Sequence, residues 1–142
     1  MRRQPRVLRL GTFILLVCAA ATIARPEHAR KYEALDKVLA RVPRKAKGQP
    51  NPFDRDAEAI AAGRKLFGQH CEECHGAAAD GSSRGPSLRP AVQEAQPGEF
   101  FWIITNGVVR HGMPAWSKLP DAQRWQIVSY LGGLRGSDSD RK

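Results

Sequence analysis

The sequence predicts an all-α fold of three or four short helices joined by long loops. Apolar residues recur at helical spacing in several separate stretches of the chain. No stretch shows the alternation of apolar and polar residues that is typical of a half-buried strand. Residues 77–91 are rich in glycine and proline and follow neither period, which indicates a long loop between helices.

Length and charge restrict what the protein can be. The 142 residues provide one ordinary domain with short extensions, too little for a second, substrate-binding domain. The net charge of +9 lies in residues 1–50, whereas residues 51–136 carry nine basic and nine acidic side chains. A nearly neutral domain without a basic face argues against nucleic acid as a partner.

The first 24 residues are predicted to be an export signal that directs the protein to the periplasm. Arginines precede an apolar run over residues 10–24, and small residues allow cleavage after Ala21 or Ala24. The run is shorter than the roughly 20 residues that span a bilayer as a helix. Cleavage is therefore favoured over a retained anchor, although an uncleaved signal would attach the protein to the membrane.

Residues 25–52 are predicted to form a basic amphipathic helix followed by a proline-rich linker. The helix is expected over residues 27–42, where the apolar positions share one face: Tyr32, Leu35, Val38, Leu39 and Val42. Prolines and a glycine after it predict a linker without regular structure. The compact domain is therefore expected over 53–136, with a polar tail at 137–142. The helix could dock on a partner, pack back on the domain or stay solvated.

The first helix of the domain is predicted to follow Asp54, whose side chain can cap it, and to lead to Cys71. Its inward stripe consists of Ile60, Gly63 and Phe67. Glycine inside a helix costs about 1 kcal/mol relative to alanine. Gly63 therefore indicates that another element crosses the helix there at close range.

Two further helices follow. One is predicted over residues 98–106, which carry large apolar side chains and are followed by Gly107, a natural C-terminal stop. The other opens at Pro120 and Asp121 and runs through Leu134, with glycines that weaken its end. The aromatic surface of the first is too large to face solvent, so this helix is expected to pack against the core.

Residues 71–75 form the sequence Cys-Glu-Glu-Cys-His, the strongest functional signal in the chain. In this spacing two thiols can attack the two vinyl groups of haem while the next side chain reaches the iron. Because Cys18 lies in the export signal, Cys71 and Cys74 are the cysteines left in the mature protein. The pentapeptide therefore predicts one covalently attached haem c, with His75 as the proximal iron ligand.

A structural disulfide, a thioredoxin-like redox pair and half of a zinc site are the alternatives for this cysteine pair. A redox pair normally lies at a strand-to-helix step, and no strands are predicted. A zinc site needs more thiols or paired histidines, whereas His28, His70 and His111 are scattered. Haem attachment fits the spacing best.

Further stretches accompany the pentapeptide in a recognisable order. They are Gly63-Arg64-Lys65-Leu66-Phe67 before it, then Gly85-Pro86-Ser87-Leu88, Gly112-Met113-Pro114-Ala115-Trp116, and the terminal helix through Trp125 and Tyr130. In this order the chain resembles, over residues 55–135, the small monohaem c-type cytochromes of the bacterial periplasm. The resemblance implies a cytochrome c-like fold, with short helices and long loops wrapped around one covalently bound haem.

The resemblance also implies that Met113 is the distal iron ligand and that the carbonyl of Pro86 accepts a hydrogen bond from His75. Met113 is the only methionine besides the initiator, so no other residue could supply a thioether ligand. The rival ligand is His111, which would give a bis-histidine haem. The family further implies that the first and last helices cross at a glycine beside an aromatic residue.

Three other side chains are candidates for contacts with haem propionates. Trp116 could donate a hydrogen bond from its indole, and Arg84 and Arg89 could pair with the carboxylates. Core packing of the indole and a solvated loop for the arginines are the simpler interpretations.

A haem with both axial positions filled has no vacancy for a substrate, so the sequence predicts a single-electron carrier rather than an enzyme. Its partners would be redox proteins. The main alternative is an electron-accepting subunit dedicated to one complex, such as a periplasmic quinoprotein dehydrogenase or a terminal oxidase. An open-site haem enzyme and a gas sensor fit less well, because Met113 is available as a sixth ligand.

Overall fold

The structure is a computed structural model in which residues 35–135 are described. The predicted export signal, the start of the predicted basic helix and the polar tail lie outside these residues. The helices are α1 (residues 35–40), α2 (Arg44–Lys47), α3 (Ala57–His70), α4 (Glu72–His75), α5 (Arg89–Glu94), α6 (Pro97–Asn106) and α7 (Asp121–Gly133). The predicted all-α class is confirmed, since the described range contains no strand beyond an isolated bridge. None of its helices is long and apolar enough to cross a bilayer.

The helices α3 and α7 cross at Gly63, with their backbones in direct contact. A Cβ atom added at Gly63 would lie 1.9 Å from the backbone oxygen of Gln126. Beside the crossing, the ring centroids of Phe67 and Tyr130 lie 5.2 Å apart. The close crossing predicted at this glycine is confirmed. It orients α3 so that its C-terminal end delivers the chain to Cys71.

The start of α3 differs from the sequence prediction, because Asp56 rather than Asp54 caps the helix. The Asp56 carboxylate accepts hydrogen bonds from the backbone N–H groups of Glu58 and Ala59 at 2.9 and 3.0 Å. Between the two aspartates Arg55 has φ +60°, a left-handed conformation that a right-handed helix cannot contain. The helix therefore begins two residues later than the side-chain pattern indicates.

The helices α6 and α7 lie where the sequence predicts them, to within one residue at each end. At the start of α6 the Glu99 carboxylate accepts a hydrogen bond from the N–H of Gln96 at 2.8 Å, as part of a capping box. The helix ends at Gly107, whose φ of +67° suits glycine. Pro120 precedes α7 in an extended conformation.

The segment predicted as an unstructured linker instead contains α2 and packs against α6. A Cβ atom at Gly98 would lie 1.9 Å from the carbonyl oxygen of Ala46, so the two backbones touch. The Lys47 ammonium pairs with the buried Glu99 carboxylate at 3.0 Å. Ahead of α2, Val42 is only 3% exposed, so the described part of the basic segment packs on the domain. Prolines end helices, but they do not prevent a single helical turn that is held by tertiary contacts.

The predicted loop over residues 77–91 is shorter in the structure, because α5 begins at Arg89. Pro90 occupies the first turn of α5, where its missing N–H has no helical partner to lose. Val92 is fully buried and anchors this short helix in the core. The sequence pattern missed α5 because six residues are too few to display a period.

Candidate haem-binding site

The two cysteines lie where α3 gives way to the one-turn helix α4. Cys71 follows the last residue of α3, and α4 carries Cys74 and His75. Both thiols are half-buried and neither forms a disulfide. The geometry therefore presents two free thiols and an imidazole within a single helical turn.

Partial burial of Cys71 favours the protonated form of its thiol. Desolvation, with a smaller contribution from the neighbouring Cys74, raises the pKa of Cys71 from 9.0 to about 11. Since the thiolate is the reactive form of cysteine, the raised pKa makes the Cys71 thiol of the haem-free chain less reactive than an ordinary cysteine.

The ring of His75 is fixed by a hydrogen bond to the loop that precedes α5. Its Nδ1 lies 2.9 Å from the carbonyl oxygen of Pro86. A carbonyl can only accept, so Nδ1 must carry the proton. The other ring nitrogen, Nε2, then keeps its lone pair in the neutral imidazole, which is the state that ligates a metal.

The loop that carries Pro86 is itself attached to α4. The Ser82 hydroxyl donates to the carbonyl oxygen of Cys74 at 2.7 Å. Gly85 packs so closely that a Cβ atom there would lie 2.7 Å from the same carbonyl oxygen. Arg84 pairs with Glu73, the residue before Cys74, although both side chains are largely exposed. Arg84 is thus engaged in an ion pair that the sequence did not indicate.

Met113 lies in the connection between α6 and α7. It forms the isolated bridge with Val108, in which the Val108 N–H donates to the Met113 carbonyl at 3.0 Å. The preceding Gly112 has φ +86°, which turns the chain sharply. Met113 is half-buried, whereas His111 is exposed. Burial therefore favours Met113 over His111 as a residue that faces the interior.

Trp116 joins the connection between α6 and α7 that contains Met113, here called the Met113 connection, to the C-terminal end of α3, which precedes Cys71. The backbone N–H of Trp116 donates to the carbonyl oxygen of Ile104 on α6 at 2.9 Å. The Trp116 ring lies 5.0 Å from the ring of His70, the residue directly before Cys71. This ring contact joins the segment that contains Met113 to the segment that leads into Cys71.

The residues present fit a c-type haem in their chemistry. They offer two free thiols, an imidazole whose Nδ1 is already hydrogen-bonded, and one thioether. No group of three or more His, Cys, Asp or Glu that could hold a metal ion occurs in the part of the chain that the structure describes.

Sequence reasoning missed the contacts that hold these segments in place. The hydrogen bond from Ser82 to Cys74 spans eight residues, and the buried Arg124 reaches the loop after Met113. An arginine near a helix start is usually a solvated residue, and nothing in its local pattern indicates burial.

The aromatic side chains of α6 pack on α7, as their apolar surface predicts. The rings of Phe101 and Trp125 stack with their centroids 4.1 Å apart.

Comparisons with known proteins identify the family of the chain. A family model described as cytochrome c oxidase, cbb3-type, subunit III matches residues 58–131, more than half of the chain. The quinohemoprotein alcohol dehydrogenases ADH-IIG and ADH IIB of Pseudomonas putida are each 32% identical to this chain, over 96 and 94 residues. These matches cover 67% and 65% of this chain but only 13% and 14% of the dehydrogenases.

A solved structure matches as well. Cytochrome CL from the marine methylotrophic bacterium Methylophaga aminisulfidivorans MPT is 29% identical, with a TM-score of 0.52, over 59% of this chain and 58% of that chain. The predicted cytochrome c-like fold is thereby confirmed. With residues 58–131 matched, the chain belongs to the cbb3-type subunit III family, a family of c-type cytochrome domains whose cofactor is haem c.

Proposed function

We propose that the protein is a single-electron carrier with one haem c, attached through Cys71 and Cys74 and ligated by His75 and Met113. The observation that carries the proposal is the 2.9 Å hydrogen bond between His75 Nδ1 and the Pro86 carbonyl. It orients the imidazole and leaves Nε2 as the donor atom, directly after two free thiols.

Each residue has a defined task in this proposal. Addition of a thiol across a vinyl double bond forms a thioether without an oxidant, provided that the thiol is reduced. The hydrogen bond to Pro86 increases the basicity of His75 as a ligand. Met113 would supply the other iron ligand, and a thioether ligand favours a high reduction potential. When bound, haem supplies a one-electron couple; with both positions filled, no site remains for a substrate, so the protein is not an enzyme.

An optical spectrum of the full chain, expressed with haem-maturation machinery, tests the proposal. We expect c-type bands in the reduced protein and the weak red charge-transfer band of methionine ligation in the oxidised protein. Haem should stay on the polypeptide after acid-acetone extraction, but not when Cys71 and Cys74 are both replaced by alanine. Extraction of haem from the wild-type protein would contradict covalent attachment.

A second candidate is an electron-accepting subunit dedicated to a dehydrogenase. In the two quinohemoprotein dehydrogenases the matching stretch is a small part of a much longer chain. A separate cytochrome would instead need a docking surface. The segment around α1 and α2 exposes Arg41, Arg44 and Lys45 while its other side packs on the domain. These cations suit an acidic partner surface.

Neutralisation of this basic surface separates the two candidates. Arg41, Arg44 and Lys45 are changed to glutamine, with the equally exposed Arg64 and Lys65 of α3 changed to glutamine as the matched control. The rate of reduction by a quinoprotein alcohol dehydrogenase is then measured at increasing salt. If the protein is a dedicated subunit, the rate of reduction and its salt dependence should fall only in the variant that lacks Arg41, Arg44 and Lys45. If it is a free carrier that does not dock through this surface, the two variants should be reduced at the same rate.

The periplasm is the proposed location, because the arginine-led apolar N-terminus is typical of an export signal. Fractionation of cells that express the full chain tests it. Haem-containing protein in the osmotic-shock fraction supports a cleaved signal, and recovery only with membranes supports a retained anchor. Recovery only in the cytoplasm would contradict export.

A further inference from the structure

Arg124 is a buried arginine in the first turn of α7, and its side chain is only 7% exposed. Its Nε donates to the carbonyl oxygen of Leu119 at 3.1 Å. Its terminal nitrogens donate to the Thr105 hydroxyl of α6 and to the Asp121 carboxylate. The guanidinium also lies over the ring of Phe101, 4.8 Å from the centroid. One side chain thus joins α7, α6 and the connection between them.

Burial of the Arg124 cation has to be compensated, because removal of a charge from water costs free energy unless the charge is paired and hydrogen-bonded. Asp121 provides the counter-charge but is itself 78% exposed, so the ion pair alone is a modest source of stability. The planar guanidinium has several donors in a fixed arrangement, and here they point at groups from three different segments. The side chain is therefore suited to fix the relative positions of those segments.

The segment that Arg124 reaches is the end of the Met113 connection. The start of this connection is folded back on itself by the bridge between Val108 and Met113, and its middle is tied to α6 by the hydrogen bond from the Trp116 backbone N–H to the Ile104 carbonyl. The Leu119 N–H then bonds to the Trp116 carbonyl at 3.0 Å. The bond from Arg124 to Leu119 extends this series to α7.

We propose that Arg124 is a positioning residue that holds residues 113–119 closed, so that the sulfur of Met113 stays in place as the distal ligand. The proposal rests on the proposed function, since it presupposes that Met113 ligates the haem iron. Arg124 acts through Leu119 and not on the ligand itself. Its loss should make Met113 easier to displace without changing which residue is the ligand.

Displacement of Met113 can be measured by titrating the ferric protein with imidazole and following the loss of the red charge-transfer band. Arg124→Met keeps the apolar length of the side chain but removes every donor, and Arg124→Lys keeps the charge without the planar fork. We expect imidazole to bind Arg124→Met about tenfold more tightly than wild type, the scale of one lost charge-assisted hydrogen bond. The imidazole affinity of Arg124→Lys should lie between those of wild type and Arg124→Met. If Arg124→Met does not fold, the affinity of Arg124→Lys alone tests the positioning role.

Arg135→Met is the matched control. Arg135 also donates to backbone carbonyls, those of Val92 and Ala95, but these lie at the end of α5 and not in the Met113 connection. Its variant should lose stability toward denaturant while its affinity for imidazole stays that of wild type. An equal gain of affinity in Arg135→Met would attribute the effect to general loosening and overturn the inference.

The outcomes also separate this inference from the proposed function. If wild type shows the charge-transfer band and the Arg124 variants bind imidazole as weakly as wild type does, the positioning role is wrong and the ligation stands. If wild type lacks the band, methionine ligation is contradicted, and the inference falls with it.

Discussion

The imidazole of His70 lies 5.0 Å from the indole of Trp116, with the two ring planes inclined by 50°. His70 directly precedes Cys71, and Trp116 follows Met113 by three residues. This ring contact spans 46 positions of the chain and joins the segment of the proposed attachment site to the segment of the proposed distal ligand. It also contributes to the partial burial of the Trp116 ring.

Replacement of Met113 by alanine should open the sixth coordination position. No other methionine is available besides the initiator. We expect the red charge-transfer band to disappear, the reduction potential to fall, and carbon monoxide to bind the reduced protein rapidly. His111→Ala is the control, because His111 is exposed and two residues away. Loss of the band in His111→Ala and its retention in Met113→Ala would assign the ligand to the histidine.

Alanine at Gly63 should destabilise the fold through the crossing of α3 and α7. Its Cβ would lie 1.9 Å from the Gln126 backbone oxygen, and a backbone atom cannot rotate away. We expect a loss of about 3 kcal/mol in the free energy of unfolding, at the upper end of overpacking costs. The measurement is denaturant unfolding followed by circular dichroism.

Gly132→Ala, on the same helix α7, is the control for this experiment. A Cβ atom at Gly132 has no neighbour within 4 Å. Alanine is a better helix former than glycine, so stability should rise by about 0.5 kcal/mol near the helix end. Equal losses in both variants would contradict a specific role for the crossing.

Ser82→Ala should loosen the loop that orients His75. The variant removes the hydrogen bond to the Cys74 carbonyl, whose donor–acceptor distance is 2.7 Å. We expect a loss of about 1 kcal/mol in stability, together with faster exchange of the His75 Nδ1 proton, measured by nuclear magnetic resonance. Ser83→Ala changes the exposed neighbouring serine and serves as the control. Unchanged exchange in Ser82→Ala would show that the Pro86 carbonyl is held by other contacts.

The pKa of Cys71 predicts a pH dependence in the haem-free protein. The folded state binds the thiol proton more tightly than the unfolded chain, because its pKa is raised from 9.0 to about 11. This contribution to stability is fully present below pH 9 and is lost as the pH rises through 11. Alkylation should therefore modify Cys71 more slowly than an unfolded thiol at pH 9, as mapped by mass spectrometry. Equal rates would mean that Cys71 is not buried.

Much of the fold was predictable because its signals are local. The positions of α6 and α7 follow from apolar spacing, a leading proline and a terminal glycine, all of which act within one or two helical turns. Gly63 indicated a helix crossing because glycine weakens a helix interior unless a neighbouring backbone needs the space of its missing side chain. By contrast, Asp54 and Asp56 are equivalent as sequence, and only the left-handed Arg55 between them selects the cap.

In the candidate site, too, some features follow from the sequence and others only from the tertiary structure. The sequence by itself determined which atoms can serve: two thiols in haem-attachment spacing, the following imidazole and a single internal methionine, because residue types and their spacing along the chain do not depend on the fold. Their assignment as ligands stays a prediction. Only the tertiary structure decided which contacts join the segments around them: the Ser82 hydroxyl donates to the Cys74 carbonyl, the Trp116 ring packs on His70, and Arg124 donates to the Leu119 carbonyl. Hydrogen bonds and ring contacts act over a few ångströms, so partners distant in sequence are identified only once the chain is folded.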